Sequence, residues 1–512
     1  MELFLIFLYT LIFSIIIYYS RFFKNIELPV KIIIAIFLIK IISGILLNYI
    51  YARYYTDKET SDIYKYFYDS KPIYDAFLKN PLHFFQLIFG INDNADYLRL
   101  YTDKTINWHN STSEYLKYIN TEHNFFNSHR LITKFNAVVR IFSFGYLSIH
   151  VVFMCFLSLI GQVYLFKTFY SFFKNKKYEL TISIFLIPSV LLWSSGVLKE
   201  GVLIFGLGLF IYSIFKIINK FSFRILILLI FALLIICITK YYVLVALVPA
   251  LISYIIVYYS NNKNIILKYL FVLSAFIILF SVIGYISPKY NCINILADKQ
   301  SDLIRNSKGG SFYVKFMNGQ EDFIYIPPEI KVKEKIIDTN KRFLKLTAGI
   351  PYYLNNESNN KLYYTENDDS YYCLVYTSQR SGSYFEIPKI ENNFFSVLKN
   401  IPVALFNVLF RPFIYHSNSL LILFSAIENI LMLLFAILCI VFRKKQLKDL
   451  NLLLFCITFV FISYILIGLT TPVSGAIVRY KIVALPFFMM IFLIILDKDK
   501  IHTVFRKILN PI

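Results

Sequence analysis

The chain returns again and again to uninterrupted apolar runs of about 20 residues, the length an α-helix needs to cross a bilayer. Inside a bilayer every backbone N–H and C=O has to be satisfied within the segment, so repeated runs of this kind restrict the fold to a bundle of spanning helices. Hydrophobic residues make up 58% of the sequence and the mean hydropathy is +0.61. Both values exclude an ordinary soluble domain. Hydropathy places about eleven spans, near 3–20, 29–51, 147–168, 178–195, 199–217, 223–240, 242–259, 266–287, 419–442, 450–470 and 477–497. Leu3 to Tyr19 has the length of a signal-peptide core. It lacks a basic stretch before it and a small-residue cleavage site after it, and a second apolar run follows at once, so it is expected to be a span. The expected fold class is all-α and polytopic.

Charge gives an orientation. The formal net charge is +21, a value that in a soluble protein would suggest a polyanion partner. Here much of it lies in short connections: Arg21 and Lys24; Lys174, Lys176 and Lys177; Lys216, Lys220 and Arg224; Lys263 and Lys268; Arg443, Lys444, Lys445 and Lys448. These alternate with nearly uncharged connections, the pattern of cytoplasmic loops, so nucleic acid is not an expected partner. The amino terminus is then expected outside, and the tail with Lys498, Lys500, Arg506 and Lys507 on the cytoplasmic side.

Five segments follow: residues 1–51 (two spans), 52–145 (an extracytoplasmic loop), 146–287 (a central bundle), 288–400 (an extracytoplasmic domain) and 401–512 (a last bundle with its tail). The first insertion is rich in aromatic residues and holds an amphipathic stretch, Pro81 to Phe89, suited to the headgroup plane. In the second, Ser311 to Met317 and Glu321 to Ile326 alternate apolar and polar around Asn318-Gly319, a β-hairpin signal. Cys155, Cys237, Cys439 and Cys456 fall inside spans; only Cys292 and Cys373 lie in an aqueous segment, as candidates for a disulfide. No zinc spacing, phosphate-cradling glycine loop or GxSxG sequence occurs, which leaves ATP-driven transport and serine hydrolysis without support.

The most unusual stretch is Phe185 to Phe210, where Trp193-Ser194-Ser195-Gly196 and then Lys199-Glu200 interrupt hydrocarbon. Charges there cost several kcal/mol unless they pair, face water or sit at an interface. The reading is a tight outer turn, and other charges share its depth. In TDKETSDIYKYFYDS, Asp57 and Glu59 read as solvated loop charges, whereas Asp62, Tyr66 and Asp69 fall on one helical face. His123, His129 and Arg130 follow, then Arg411, Glu428-Asn429 well inside a span, and Arg479 and Lys481 in TTPVSGAIVRYK. Each has a plainer reading: Lys199 as a snorkelling cation, Arg479 and Lys481 as interfacial anchors, His129 and His150 as structural histidines.

Carboxylates and cations gathered at headgroup depth suit transfer from a lipid-linked sugar. The donor phosphate needs Arg or Lys, the acceptor hydroxyl needs a carboxylate base, and aromatic rings stack on sugar faces. Asp62 and Glu200 are the catalytic candidates; Asp69, His129, Arg130, Lys199, Arg411, Glu428, Arg479 and Lys481 are the substrate-contact candidates. No cofactor is demanded, and a divalent cation, Mg²⁺ or Mn²⁺, stays open.

Two early spans, a long outer loop opening on Asp62 and Tyr66, many further spans and the late Gly475-to-Pro486 run, Gly-x-x-x-Arg-Tyr-Lys-x-x-x-x-Pro, resemble the GT-C superfamily of membrane glycosyltransferases. PSVLLWSSGVLKEG is similar to a span of bacterial envelope proteins of this type. The resemblance implies a polyprenyl-phosphate sugar donor, Asp62 as base, and Arg479 and Arg411 as phosphate partners. The first loop departs from the pattern in having no adjacent Asp-Asp or Asp-Glu pair. The rival functions are a surface-polysaccharide polymerase resembling the O-antigen family, a transporter or flippase with Lys199, Glu200 and Glu428 along its path, and a noncatalytic assembly factor.

Overall fold

The computed structural model describes residues 1–54, 58, 61–106, 108, 127–260, 263–287, 290–317, 320–332, 334–336, 344–354, 362–366, 369–416, 419–447 and 449–501. Asp57, Glu59, His123 and the Asn318-Gly319 turn lie outside them. The chain opens with α1 (Glu2–Tyr19), α2 (Arg21–Lys24) and α3 (Val30–Tyr54), and continues into the short helices α4 (Asp62–Lys79), α5 (Pro81–Phe89), α6 (Asp96–Thr102) and α7 (Ser128–Ser143). The short helices share a small core of Ile73, Phe84, Leu87, Leu98 and Trp108. The amphipathic Pro81–Phe89 stretch is thus a helix, started by Pro81 in the first turn and ended by Gly90 in the left-handed region.

The bundle proper follows: α8 (Leu147–Phe169), α9 (Lys177–Thr181), α10 (Pro188–Trp193), α11 (Lys199–Asn219), α12 (Phe223–Lys240), α13 (Tyr242–Tyr259) and α14 (Ile265–Ile286). After α15 (Cys292–Lys308) and the sheet come α16 (Phe394–Phe410), α17 (Leu420–Val441), α18 (Leu450–Thr470), α19 (Ser474–Lys481) and α20 (Leu485–Ile495). Among the described residues nine helices are long and apolar enough to cross a membrane. The pair α19 and α20, bent by 64°, makes a tenth.

The expected span at 178–195 is not one helix, which is why the count falls short of eleven. It is α9, a π-helical turn at Ile182–Leu186 and α10, and the ladder breaks where Pro188 has no N–H to give. Its ends still reach opposite ends of the bundle. Glu179 pairs with Lys498, while the Trp193 ring lies 6.4 Å from Tyr51. The basic connections cluster at the Glu179 end, where Lys176 Nζ donates to Leu493 O at 2.6 Å and Lys167 Nζ to Phe22 O at 2.6 Å. Packing elsewhere relies on small residues, as expected where lipid removes the hydrophobic drive between helices. A Cβ on Gly208 would lie 1.9 Å from Gly161 O, so α8 and α11 meet backbone to backbone; one on Gly44 would lie 2.6 Å from Ser195 O, which presses α3 onto the Trp-Ser-Ser-Gly turn.

Among its described residues the second insertion forms a curled, wholly antiparallel sheet of seven strands: β1 (Gly310–Met317), β2 (Gln320–Ile326), β3 (Glu334–Ile336), β4 (Leu344–Leu346), β5 (Pro351–Leu354), β6 (Leu362–Tyr364) and β7 (Tyr371–Ser378), in the order β3-β4-β7-β1-β2-β5-β6. The expected hairpin is β1 with β2, closing at Met317 opposite Gln320. No disulfide joins Cys292 and Cys373 in this structure. Cys292 starts α15, whose 17 residues span about 25 Å before β1 begins. Cys373 sits mid-sheet, opposite Val314.

The sheet is tied to the helices at the point that matters. Gln300 of α15 donates to Leu469 O at the end of α18 and to Pro388 O, and accepts from Ile390 N. The strap after β7 then pairs with the turn leading into α19, with Phe385 N to Pro472 O at 2.9 Å and Ser474 N to Ser383 O at 3.0 Å.

Candidate functional site

At the end of the bundle opposite the basic loops, four helix termini meet. α4 begins there with Asp62, so its carboxylate sits at the positive end of the helix dipole, and α11 begins there with Lys199 and Glu200. α12 ends there at Lys240, and the strap-held turn at 471–475 sets the depth of Arg479 in α19. Arg479 is the hub. Its Nη1 donates to Asp62 Oδ2 at 2.7 Å, and its Nε lies 2.7 Å from Glu200 Oε1, out of hydrogen-bond alignment and so an ion contact. Lys240 Nζ donates to the same Glu200 oxygen at 2.8 Å and rests 3.9 Å from the centre of the Tyr480 ring. Glu200 is fully buried, whereas the Asp62 side chain is 37% exposed.

Lys199 completes the set from the side. Its Nζ donates to Ser128 Oγ at 2.8 Å and lies 5.6 Å from the centre of the buried Tyr66 ring, which in turn lies 5.6 Å from His129. Among the described residues of this cluster three cations (Arg479, Lys199, Lys240) face two carboxylates (Asp62, Glu200), leaving one net positive charge. Glu200 Oε2, His129 Nδ1 and Tyr242 Oη are buried without a partner among the described residues. Buried polar atoms of that kind are usually satisfied, so three of them around one ion-pair cluster single it out as the candidate site.

Burial pushes the Asp62 carboxyl up, but the Arg479 charge, its hydrogen bond and the Lys199 charge outweigh burial and hold it well below the usual carboxylate range. The His129 ring is pushed down to about 3 by burial and by Lys199, so it is neutral at physiological pH. The sign for stability follows from the Asp62 direction. A carboxyl depressed on folding stabilises the fold above its unfolded value near about 4, and that contribution fades as pH falls through the folded value. The stability difference between the native chain and Asp62→Asn is therefore expected to be constant above about pH 5 and to shrink below about pH 4, read from thermal unfolding in detergent.

Other expected site residues lie elsewhere. Asp69 is buried and accepts from Ile106 N at 2.8 Å, bracing the first insertion. Arg130 pairs with Asp93 and stacks on Trp108, donating from Nε to the Trp108 carbonyl. Arg411, Glu428 and Lys481 form a second cluster on the other side of α19. There Glu428 Oε2 accepts from Ser189 N at 2.6 Å, Lys481 Nζ donates to Asn429 Oδ1, Asn429 Nδ2 donates to Arg411 O, and the Arg411 guanidinium lies 4.0 Å from the Phe385 ring centre. Glu428 thus belongs to this second cluster, whereas Lys199 and Glu200 belong to the first. Lys240 was missed in the sequence, where a lysine ending a span reads as an anchor; its position among nearly uncharged connections, against the general charge bias, was the available signal.

Among the described residues no three His, Cys, Asp or Glu side chains come together to hold a metal, and Asp62 and Glu200 are both engaged by cations. What the arrangement offers is a largely buried guanidinium between a partly exposed carboxylate and a buried one, next to a second cation, Lys199, and aromatic faces from Tyr66 and Trp193, the latter's ring centre 6.0 Å from Arg479. Comparison with protein-family models, with curated proteins and with solved structures finds no match.

Proposed function

We propose that the chain is a membrane glycosyltransferase, moving a sugar from a polyprenyl-phosphate carrier to a cell-envelope glycan, lipid or protein on the extracytoplasmic side of the bacterial cytoplasmic membrane. The observation carrying this reading is the meeting of Asp62 and Arg479, 417 residues apart in the chain, over a buried Glu200. A guanidinium at a span end is suited to a phosphodiester at headgroup depth, where planar bidentate pairing offsets scarce water. The carboxylate beside it is placed to accept a proton. In the transfer step the acceptor oxygen bonds to the anomeric carbon, the bond from that carbon to the phosphate oxygen breaks with its electron pair leaving on phosphate, and the acceptor's hydroxyl proton passes to Asp62. The distribution of basic loops supports the orientation, since they gather at the opposite end of the bundle.

The test is transfer of radiolabelled sugar from polyprenyl-phosphate donors by the full chain in nanodiscs. Asp62→Asn is expected to lower the rate by about 10²–10⁴, the usual worth of a positioned base, with the fold retained. Full transfer by a folded Asp62→Asn removes the base. Carrier-linked chains that lengthen, in place of single-sugar addition, would assign the site to a polymerase.

A further inference from the structure

We infer that Arg479 is an exchange site. Asp62 yields its bond to the phosphate of the incoming lipid-linked donor, while Glu200, pinned from its far side by Lys240, keeps the guanidinium in place. The inference rests on the reading of this site as one for a lipid-linked phosphate, and it assigns Lys240 a positioning role.

The two carboxylates on Arg479 are not equivalent. Asp62 takes Nη1, on the outer part of the guanidinium, from the first turn of a short helix in the insertion, and over a third of its side chain already meets solvent. Glu200 faces Nε from inside the bundle, with no exposure, and shares its Oε1 with Lys240. An incoming anion competes for both, but the outcomes differ. A displaced Asp62 carboxylate passes into water; a displaced Glu200 would be stranded, charged and dry. Exchange therefore runs one way. A phosphodiester carries a single negative charge, which matches the one positive charge left over by Lys199, so the complex becomes neutral without any protein group changing protonation.

The exchange also orders the chemistry. While Asp62 holds Arg479 its carboxyl is kept well below the usual range and takes up a proton poorly. Once phosphate has replaced it, the hydrogen bond to Arg479 is gone and the phosphate offsets that guanidinium's charge, so the restraint falls to the weaker pull of Lys199 and the carboxylate is released beside the donor sugar. The base is masked until the donor has bound, which disfavours proton abstraction from an acceptor arriving first. Lys240 does not reach the phosphate in this scheme. It fixes Glu200, and Tyr480 fixes Lys240.

The experiment measures binding of farnesyl phosphate and, separately, of inorganic phosphate to the full chain in nanodiscs. Asp62→Asn, which removes the competing charge, is expected to bind farnesyl phosphate at least tenfold tighter than the native chain. Lys240→Met is expected to bind more weakly, and Lys240→Arg to restore affinity. Equal or weaker binding by a folded Asp62→Asn overturns the exchange. Should that variant not fold, the native chain carries the test through carbodiimide labelling of Asp62 read by mass spectrometry. Labelling several-fold higher with farnesyl phosphate present supports release; unchanged labelling overturns it. Inorganic phosphate as potent as farnesyl phosphate would overturn a lipid source for the anion. Failure of every form to bind farnesyl phosphate would instead overturn the functional reading underneath.

Discussion

Arg479→Gln is expected to lower sugar transfer by about 10²–10³, the range seen when a preorganised charge-stabilising donor is removed from a site that excludes most water. The guanidinium holds both carboxylates at once, with Nη1 on Asp62 and Nε against Glu200. A glutamine retains a polar end but neither the charge nor the two-sided reach. The leaving phosphate would then develop its charge with only Lys199 nearby, and Lys199 is already turned to Ser128. Arg479→Lys separates charge from geometry. A lysine is a point charge without the planar fork, so it is expected to recover a minor part of the loss. Stability should respond less than rate, because Glu200 keeps Lys240 and Asp62 can turn to solvent. Initial rates of transfer beside thermal unfolding of the same nanodisc samples check both statements; a rate within tenfold of the native chain would remove Arg479 from the chemistry.

The sequence carried depth well and azimuth poorly, and the errors sort by that distinction. Hydropathy and charge put Asp62, Lys199, Glu200, Glu428, Arg479 and Lys481 at one level of the bundle. The first three and Arg479 do meet. Arg479 and Lys481, however, are two residues apart on one helix, about 200° around its axis, so the second points away, to Asn429 and the neighbourhood of Glu428. Asp69 shares a face with Asp62 but lies about 10 Å further along the helix, beyond reach of Arg479. The pairing of β1 with β2 was readable because an Asn-Gly pair between two alternating runs is a strong hairpin signal. The seven-strand order was not, since β7 crosses the domain to pair with β1. The run at 178–195 has the composition of a span, and only Pro188 hinted that its helix would break.

Removing Glu200 should be the costliest change to the fold itself. It is wholly buried, and its carboxylate contacts both Arg479 and Lys240. Glu200→Ala leaves two largely buried cations against each other, with Asp62 able to hold only one of them. Breaking a buried pair in this way costs about 3–5 kcal/mol. Lys240→Met takes away the second cation and fills its path with an apolar chain of similar length. The double variant Glu200→Ala, Lys240→Met is therefore expected to be more stable than Glu200→Ala alone, with a coupling of about 1–3 kcal/mol between the sites. Unfolding in mixed detergent micelles supplies the four stabilities of the cycle, and strictly additive losses would mean that Lys240 is not paired through Glu200. Transfer should not recover with stability in the double variant. Arg479 then has only Asp62 to hold it, and the phosphate meant to displace that carboxylate would meet a guanidinium no longer fixed from behind.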